Sequence, residues 1–460
     1  MNAHRFAVAD RRCSRRRVLR TSGVGLAAAG LATGGLAPRA VAQDATPALG
    51  EAPQLRPLLS GNEMWEAFGN RALVYVRDAG ADFGECMVTI QRIGDGGTTD
   101  DWHREWVATA DRVAAIGDEC AAKGRRVSAR EAYYRASNYY RVAYIPLYGA
   151  PVDPRLVAAF EAETASFRSG AALSDFPVEA VEIPFEGATL PGYLVTVDDS
   201  GTPRPTVVST NGYDSTIQEG YFAHAGAAIR RGYNVLLYDG PGQGRNLIID
   251  GVPIRPDWET VVTPVIDYAL TRPEIDPAKI VLSGWSLGGY FAPRAAAFEH
   301  RVAALVADPG QWDERDAALA VLALTDEQKA AFPDIDPALL EPMEEWLKGP
   351  DAPPMLRWSI IQRGFWVNGV DNLYDFAVEL SRFELSPVAQ NIACPTFISY
   401  PEADPIAEGA PRLHGAITAP KTLVPFTMAE GAGMHCEMMA RSLYHQRLYD
   451  WLDETLGAGA

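Results

Sequence analysis

Gly284-Trp285-Ser286-Leu287-Gly288 sets a serine between two glycines, directly after the apolar run Ile280-Val281-Leu282 and directly before a small-residue helical pattern. A serine hydroxyl is a weak nucleophile unless a neighbouring base takes its proton. It must also stand clear of the sheet so that a carbonyl can approach. A tight strand-to-helix turn does this, and the flanking glycines relieve the crowding such a turn creates. A base and an acid should follow the serine in the chain, each beyond a later strand. "FISYPEADPI" puts Asp404 just past a β-rich run, with Glu402 as a second acidic choice. "LVPFTMAEGAGMHCEMM" puts His435 past the last such run, where Gly431 and Gly433 let the loop turn the imidazole back towards Ser286. Of the seven histidines, His435 alone has both the order and the setting: His103 and His224 precede the serine, His300 falls in the helix after it, and His414 and His445 read as surface. The developing oxyanion needs two preorganised N–H donors. Leu287 follows the nucleophile at a helix N-terminus, and Tyr213 lies in "NGYDST", after the run "TVVST".

The elements that must hold these residues follow from periodicity. Residues 55–175 read as helical. "SGNE" (60–63) and "SARE" (128–131) have capping-box form, and "DDWHREWVATADRVAAIGDECAAKG" puts Trp102, Trp106, Val113 and Cys120 near one face and stops at Gly124. The aromatics of "AYYRASNYYRVAYI" suit helix-to-helix packing. From about residue 180 the period changes. "VEIPFEGATLPGYLVTV" alternates as a hairpin does, and short β-rich runs at 206–210, 234–239, 279–284, 303–308, 396–400 and 422–426 alternate with helical stretches. That alternation predicts a mainly parallel sheet with helices on both faces. A helical lid is expected at about 312–390. "YDGPGQGRN" lacks the spacing of a phosphate loop and reads as a turn after a strand.

Placed between a strand and a helix, G-x-S-x-G resembles the nucleophile elbow of α/β-hydrolases. "GWSLGG", "DGPGQG", "NGYDST" and "EGAGMHCEM" together resemble the α/β-hydrolase group that includes 2,6-dihydroxypseudooxynicotine hydrolase. The W-x3-W pair Trp102 and Trp106 and the run Ser128-Ala129-Arg130-Glu131-Ala132-Tyr133-Tyr134-Arg135-Ala136 extend the likeness across most of 60–455. The resemblance implies an α/β-hydrolase fold at 180–460 behind an N-terminal helical domain, with Ser286, Asp404 and His435 as a triad. It also implies cleavage of esters or ketonic C–C bonds. Met434, where an acidic or polar residue is common, departs from the group.

The 460 residues carry a formal net charge of −18; the first 42 contribute +7, eight Arg against one Asp, which leaves −25 on the remainder. So acidic a body does not suit nucleic acid or anionic membrane. The start of the chain reads as an address. "SRRRVLR" with Arg15-Arg16, the weakly apolar "GVGLAAAGLATGGLA" and the small-residue site Ala40–Ala42 form a twin-arginine-type signal over 1–42, ahead of a linker at 43–54. The expected partners are therefore the twin-arginine machinery during export and a small-molecule substrate, with the mature protein, cut near Ala42/Gln43, in the periplasm or medium. No later segment suits a membrane span. Without a metal-like Cys spacing or a nucleotide motif, no cofactor is expected. Cys86 and Cys120 could form a bridge, although free thiols suit a chain of this length equally well. Two rival functions are a serine aminopeptidase of the prolyl oligopeptidase type, which residues 43–180 do not favour because they show no blade repeats, and a non-catalytic binding protein on the same fold. Oligomeric state is not legible in the sequence.

Overall fold

The computed structural model describes residues 57–457. The expected export signal and linker lie outside these residues.

Eight strands form one sheet in the order β1-β2-β4-β3-β5-β6-β7-β8, with β1 at Val178–Phe185, β2 at Ala188–Val195, β3 at Arg204–Thr210, β4 at Asn234–Tyr238, β5 at Ile275–Trp285, β6 at Ala304–Asp308, β7 at Thr396–Pro401 and β8 at Lys421–Phe426. β1 and β2 pair antiparallel through the two-residue turn Glu186-Gly187, whose φ values of 44° and 82° are those of a primed hairpin turn. β2 meets β4 antiparallel, and all later pairs are parallel. Central strands of a parallel sheet are buried on both faces, so β4 and β6 are buried throughout rather than alternating, and their apolar residues run consecutively, with Asn234 and Asp308 at the strand ends. The alternation persists in what each residue touches. Leu236, Leu282, Leu305 and Ile398 pack with the helices Glu259–Ala269 and Gly288–Ala296. Their neighbours Val235, Val281, Val306 and Phe397 pack with the C-terminal helix Arg441–Leu456.

Among the described residues five α-helices precede the sheet: α1 (Glu63–Leu73), α2 (Phe83–Ile93), α3 (Thr99–Ala122), α4 (Arg126–Tyr144) and α5 (Pro154–Ala171). The expected aromatic packing is present. Trp65 stacks on Trp102 at 4.7 Å, Trp102 leans on Trp106 at 5.6 Å, and Trp106 meets Tyr139 at 5.5 Å. This cluster is continuous with the core on one face of the sheet. The two capping boxes expected from sequence do not form. Asn62 caps α1, and Ser128 lies inside α4, which begins at Arg126 without a side-chain cap. Capping boxes do form where Thr98 meets Asp101, at the start of α3, and where Thr325 meets Gln328, between β6 and β7. Between β6 and β7, helical segments from Glu314–Val321 to Leu373–Ser381 close over an apolar cluster of their own, as expected of a lid. All four cysteines in the described residues are free, so Cys86 and Cys120 are not bridged.

A buried charge cluster joins these parts. Arg71 of α1 bonds both oxygens of Asp214 at 3.0 and 3.1 Å and both of Glu219 at 2.8 Å. Arg363 from the lid reaches Asp214 at 3.0 Å, and Arg141 of α4 reaches Glu219 at 2.5 Å. Burial alone would raise the Asp214 pKa; Arg71 and Arg363 outweigh it and hold the group below the usual carboxylate range. Removing one partner of such a cluster strands the others in a low dielectric. Arg71→Met is therefore expected to cost about 3–5 kcal/mol, read as a lowered urea midpoint at pH 7.

Candidate active site

Ser286 follows the last residue of β5 and adopts φ = +57°, a left-handed conformation that side chains avoid. Its N–H donates to Asp308 O at 2.7 Å, tying the turn to the end of β6. The neighbouring glycines are required by contact. A Cβ on Gly284 would overlap Gly288 O, and one on Gly288 would stand 2.5 Å from Thr210 O. Gly288–Ala296 then runs away from the turn as a helix.

Asp404 stands beyond β7 in an Asx turn, accepting from Ile406 N at 3.2 Å, with Pro405 next fixing the backbone. His435 stands beyond β8. Gly431 is left-handed at φ = +73°, and Gly433 packs too closely on Met428 to carry a Cβ. Ala403 N donates to Gly433 O at 2.8 Å, which joins the acid loop to the histidine loop. The three side chains meet: His435 Nδ1 lies 2.7 Å from Asp404 Oδ2, and His435 Nε2 lies 2.9 Å from Ser286 Oγ. An ionised carboxylate only accepts, so Nδ1 carries the proton and Nε2 is left to accept from the serine. Burial works against the charged imidazolium, but Asp404 outweighs it, and the His435 pKa is raised above 6.5. Glu402 is exposed and accepts from Met428 N at 2.7 Å, away from the imidazole.

Both expected amide donors lie beside the serine in the chain or in space. Leu287 N–H opens the helix after the elbow, and Tyr213 N–H sits in a loop so close that a Cβ on Gly212 would stand 2.7 Å from Ser286 Cβ. Neither N–H is taken by an acceptor among the described residues. The Tyr213 ring is buried, and its hydroxyl donates to Gly364 O at 3.3 Å and accepts from Asn368 Nδ2. The phenol therefore packs against the lid.

Two histidines differ from their sequence reading. His445 is buried, with Nε2 3.1 Å from Ala223 O, and His300 lies in a turn past its helix. Several residues at the site escaped sequence reasoning. Gln311 Nε2 donates to Ser286 O. Glu314, at the lid's first turn, is buried; that burial, with Asp313 and Asp404 nearby, pushes its pKa up to about 7. Nothing in "QWDER" distinguishes this glutamate from a solvated lid charge. Among the described residues no three His, Cys, Asp or Glu side chains converge as a metal would require, and no helix is long and apolar enough to cross a membrane.

Comparison with known proteins gives the same architecture. The profile of the family described as "Alpha/beta hydrolase family" matches residues 207–443. The chain belongs to that family. It is 33% identical over 421 residues to hydrolase acrC of Aspergillus aculeatus, covering 84% of this chain and 94% of the relative. It is 32% identical over 417 residues to 20-hydroxy-prefusarin hydrolase of Gibberella moniliformis, covering 84% and 94%. Among solved structures, 2,6-dihydroxy-pseudo-oxynicotine hydrolase superposes with a TM-score of 0.65 at 22% identity, over 84% of this α/β-hydrolase chain and 95% of that one.

The raised His435 pKa fixes a sign. The fold favours the imidazolium, so its contribution to stability is full below the unfolded value near 6.5 and is lost as pH rises through the folded value. In an NMR titration the His435 ring should have its midpoint above 6.5. Asp404→Asn should lower it, because burial is then opposed only by the weaker influence of Asp308.

Proposed function

We propose that this α/β-hydrolase is a serine-dependent enzyme that forms an acyl-enzyme on Ser286 and cuts an ester, or a C–C bond beside a ketone, in a small apolar or aromatic substrate. The observation that carries this reading is the unbroken relay from Asp404 through His435 to a serine held at a left-handed elbow. Ser286 Oγ attacks the carbonyl carbon as its proton passes to His435 Nε2. Asp404 keeps the imidazole oriented and balances the imidazolium charge. The carbonyl oxygen becomes an oxyanion facing the Leu287 and Tyr213 N–H groups. Collapse of the tetrahedral intermediate expels the leaving group, which takes the proton from Nε2. Water, activated by His435, then hydrolyses the acyl-enzyme. The 20-hydroxy-prefusarin hydrolase relative supports a small organic substrate, and the Trp, Tyr and Phe side chains that the preceding helices and the lid supply support an apolar one.

One observation favours the ketone. A carbanion leaving group needs a proton on carbon, and Glu314 is a buried carboxyl close to Asp404 with a pKa of about 7. It stays protonated at a pH where an ordinary glutamate is ionised, so it can supply that proton in place of His435 Nε2; the imidazolium then returns its proton to Glu314, which frees Nε2 to activate water. An alkoxide or phenolate leaves without such help. Export by the twin-arginine machinery to the periplasm or medium belongs to the same proposal, on the grounds of the Arg15-Arg16 pair and the small residues at Ala40–Ala42.

Purified protein should turn over p-nitrophenyl esters, aryl β-diketones, or both. Ser286→Ala should lower this by at least about a thousandfold without altering the circular-dichroism spectrum. Near-normal turnover in that variant, or failure of a fluorophosphonate to label wild-type Ser286, would overturn the assignment. Glu314→Gln separates the two bond types. It should slow ketone cleavage by about tenfold or more and leave ester hydrolysis within about threefold; equal losses on both would remove Glu314 from the chemistry.

A further inference from the structure

Resting on the serine-hydrolase reading above, we infer that Gln243, in the loop after β4, is a positioning residue that sets one of the two oxyanion donors. Gln243 is fully buried. Its Nε2 donates to Asn211 O and to Gly212 O, both at 2.8 Å, and its Oε1 accepts from Gly240 N at 2.9 Å. The carbonyl of Gly212 and the N–H of Tyr213 belong to the same planar amide and point in opposite directions. Whatever holds that carbonyl therefore also aims that N–H. The Gln243 amide is itself locked at both ends. If it flipped, Oε1 would face two carbonyl oxygens and Nε2 would face an N–H, so only one orientation is allowed.

The cradle around Gln243 is rigid. Asn211 Nδ2 donates to Asp239 Oδ1 at 2.9 Å, and Asn246 Nδ2 donates to Asp239 O at 2.7 Å. A Cβ on Gly240 would stand 2.7 Å from the Trp258 ring. The loop after β4 is thus a fixed mould for the loop after β3. The Gly212–Tyr213 peptide is pressed between Gln243 on one side and Ser286 on the other. A hydrogen bond to the carbonyl also polarises the amide, which makes the Tyr213 N–H a stronger donor where negative charge develops. The "GPGQG" run thereby acquires a role that its turn-like composition does not reveal.

The test uses Gln243→Met, which keeps length and removes both donors and acceptor. Active sites are counted by fluorophosphonate titration, so that rates refer to competent molecules. The expected result is a fall in kcat per titrated site of about 10- to 100-fold, with KM for the same ester within about threefold. Affinity for an aryl boronic acid, whose serine adduct carries a tetrahedral oxyanion, should fall by the same factor as kcat/KM. A merely structural role would lower the titratable fraction or raise KM and leave kcat per site and boronate affinity unchanged; that outcome overturns the inference. If the variant does not fold, the wild-type boronate adduct decides the matter by crystallography. The inference requires the boronate oxygen within hydrogen-bond distance of Tyr213 N while Gly212 O remains on Gln243 Nε2. An adduct oxygen held elsewhere, or a peptide turned away from Gln243, overturns it. A wild-type protein that no fluorophosphonate labels instead defeats the serine-hydrolase reading itself.

Discussion

The site depends on three backbones meeting within contact distance of one residue. The ends of β3, β5 and β6 converge at Ser286: Gly212 lies against its Cβ, Gly288 lies against Thr210 O, and Asp308 O accepts its N–H at 2.7 Å. A left-handed serine costs of order 1–3 kcal/mol, and it persists because its surroundings leave no alternative. Every side-chain atom at positions 212, 284 or 288 would push one of these strands away. The elbow is therefore not a local motif that the sheet happens to display. It exists only where the sheet brings the three strand ends together, and the exposed hydroxyl follows from that convergence.

The second constraint is electrostatic. Asp214 follows the Tyr213 donor directly, and it is held by Arg71 of the first helix and Arg363 of the lid. Buried ion pairs of this kind contribute little net stability, because desolvation offsets the attraction, yet breaking them is expensive. They act as registration. The loop that carries an oxyanion donor is fixed from one side by the helices before the sheet and from the other by the segment between β6 and β7. Removal of either appendage would uncover charge beside that donor. The shape of the site thus belongs to the whole chain, which agrees with relatives that match it over 94% of their own length.

What the sequence made legible were features whose cause is local. The β-rich runs at 234–239 and 303–308 read as strands because their consecutive apolar residues are buried on both faces, and the order serine, acid, histidine followed from where strands end. Features caused by tertiary contact stayed hidden. Ser60 and Ser128 have the spacing of capping boxes, but Asn62 takes the first cap and packing carries α4 past the second. His445 reads as helix surface because nothing nearby in sequence indicates that Ala223 will cover it. Glu314, Asp214 and Gln243 are polar residues in polar stretches, and the groups that surround them come from distant parts of the chain. Cys436 and Glu437, at φ = +52° and +49°, turn the chain directly after His435 without a glycine to announce it.

The turn at Cys436 and Glu437 places a second carboxylate near the histidine, and its neutralisation shapes the relay. Asp308 is buried and adds to the field that favours a charged imidazole, but it is a weaker influence than Asp404. Burial would raise the Asp308 pKa; Arg441, at 2.7 Å from Oδ2, outweighs this and keeps it ionised and paired. Glu437 beside them is pushed the other way, first by burial and then by Asp308, and stays protonated. One cation thus answers one anion in this layer, and the acid that cannot be answered is left neutral. Among the described residues Asp404 meets no such cation at its carboxylate, only the Ile406 amide and the imidazole. The charge that develops on His435 when it takes the serine proton is therefore met by the one carboxylate that faces it directly, which makes the base strongest at the nitrogen that faces Ser286.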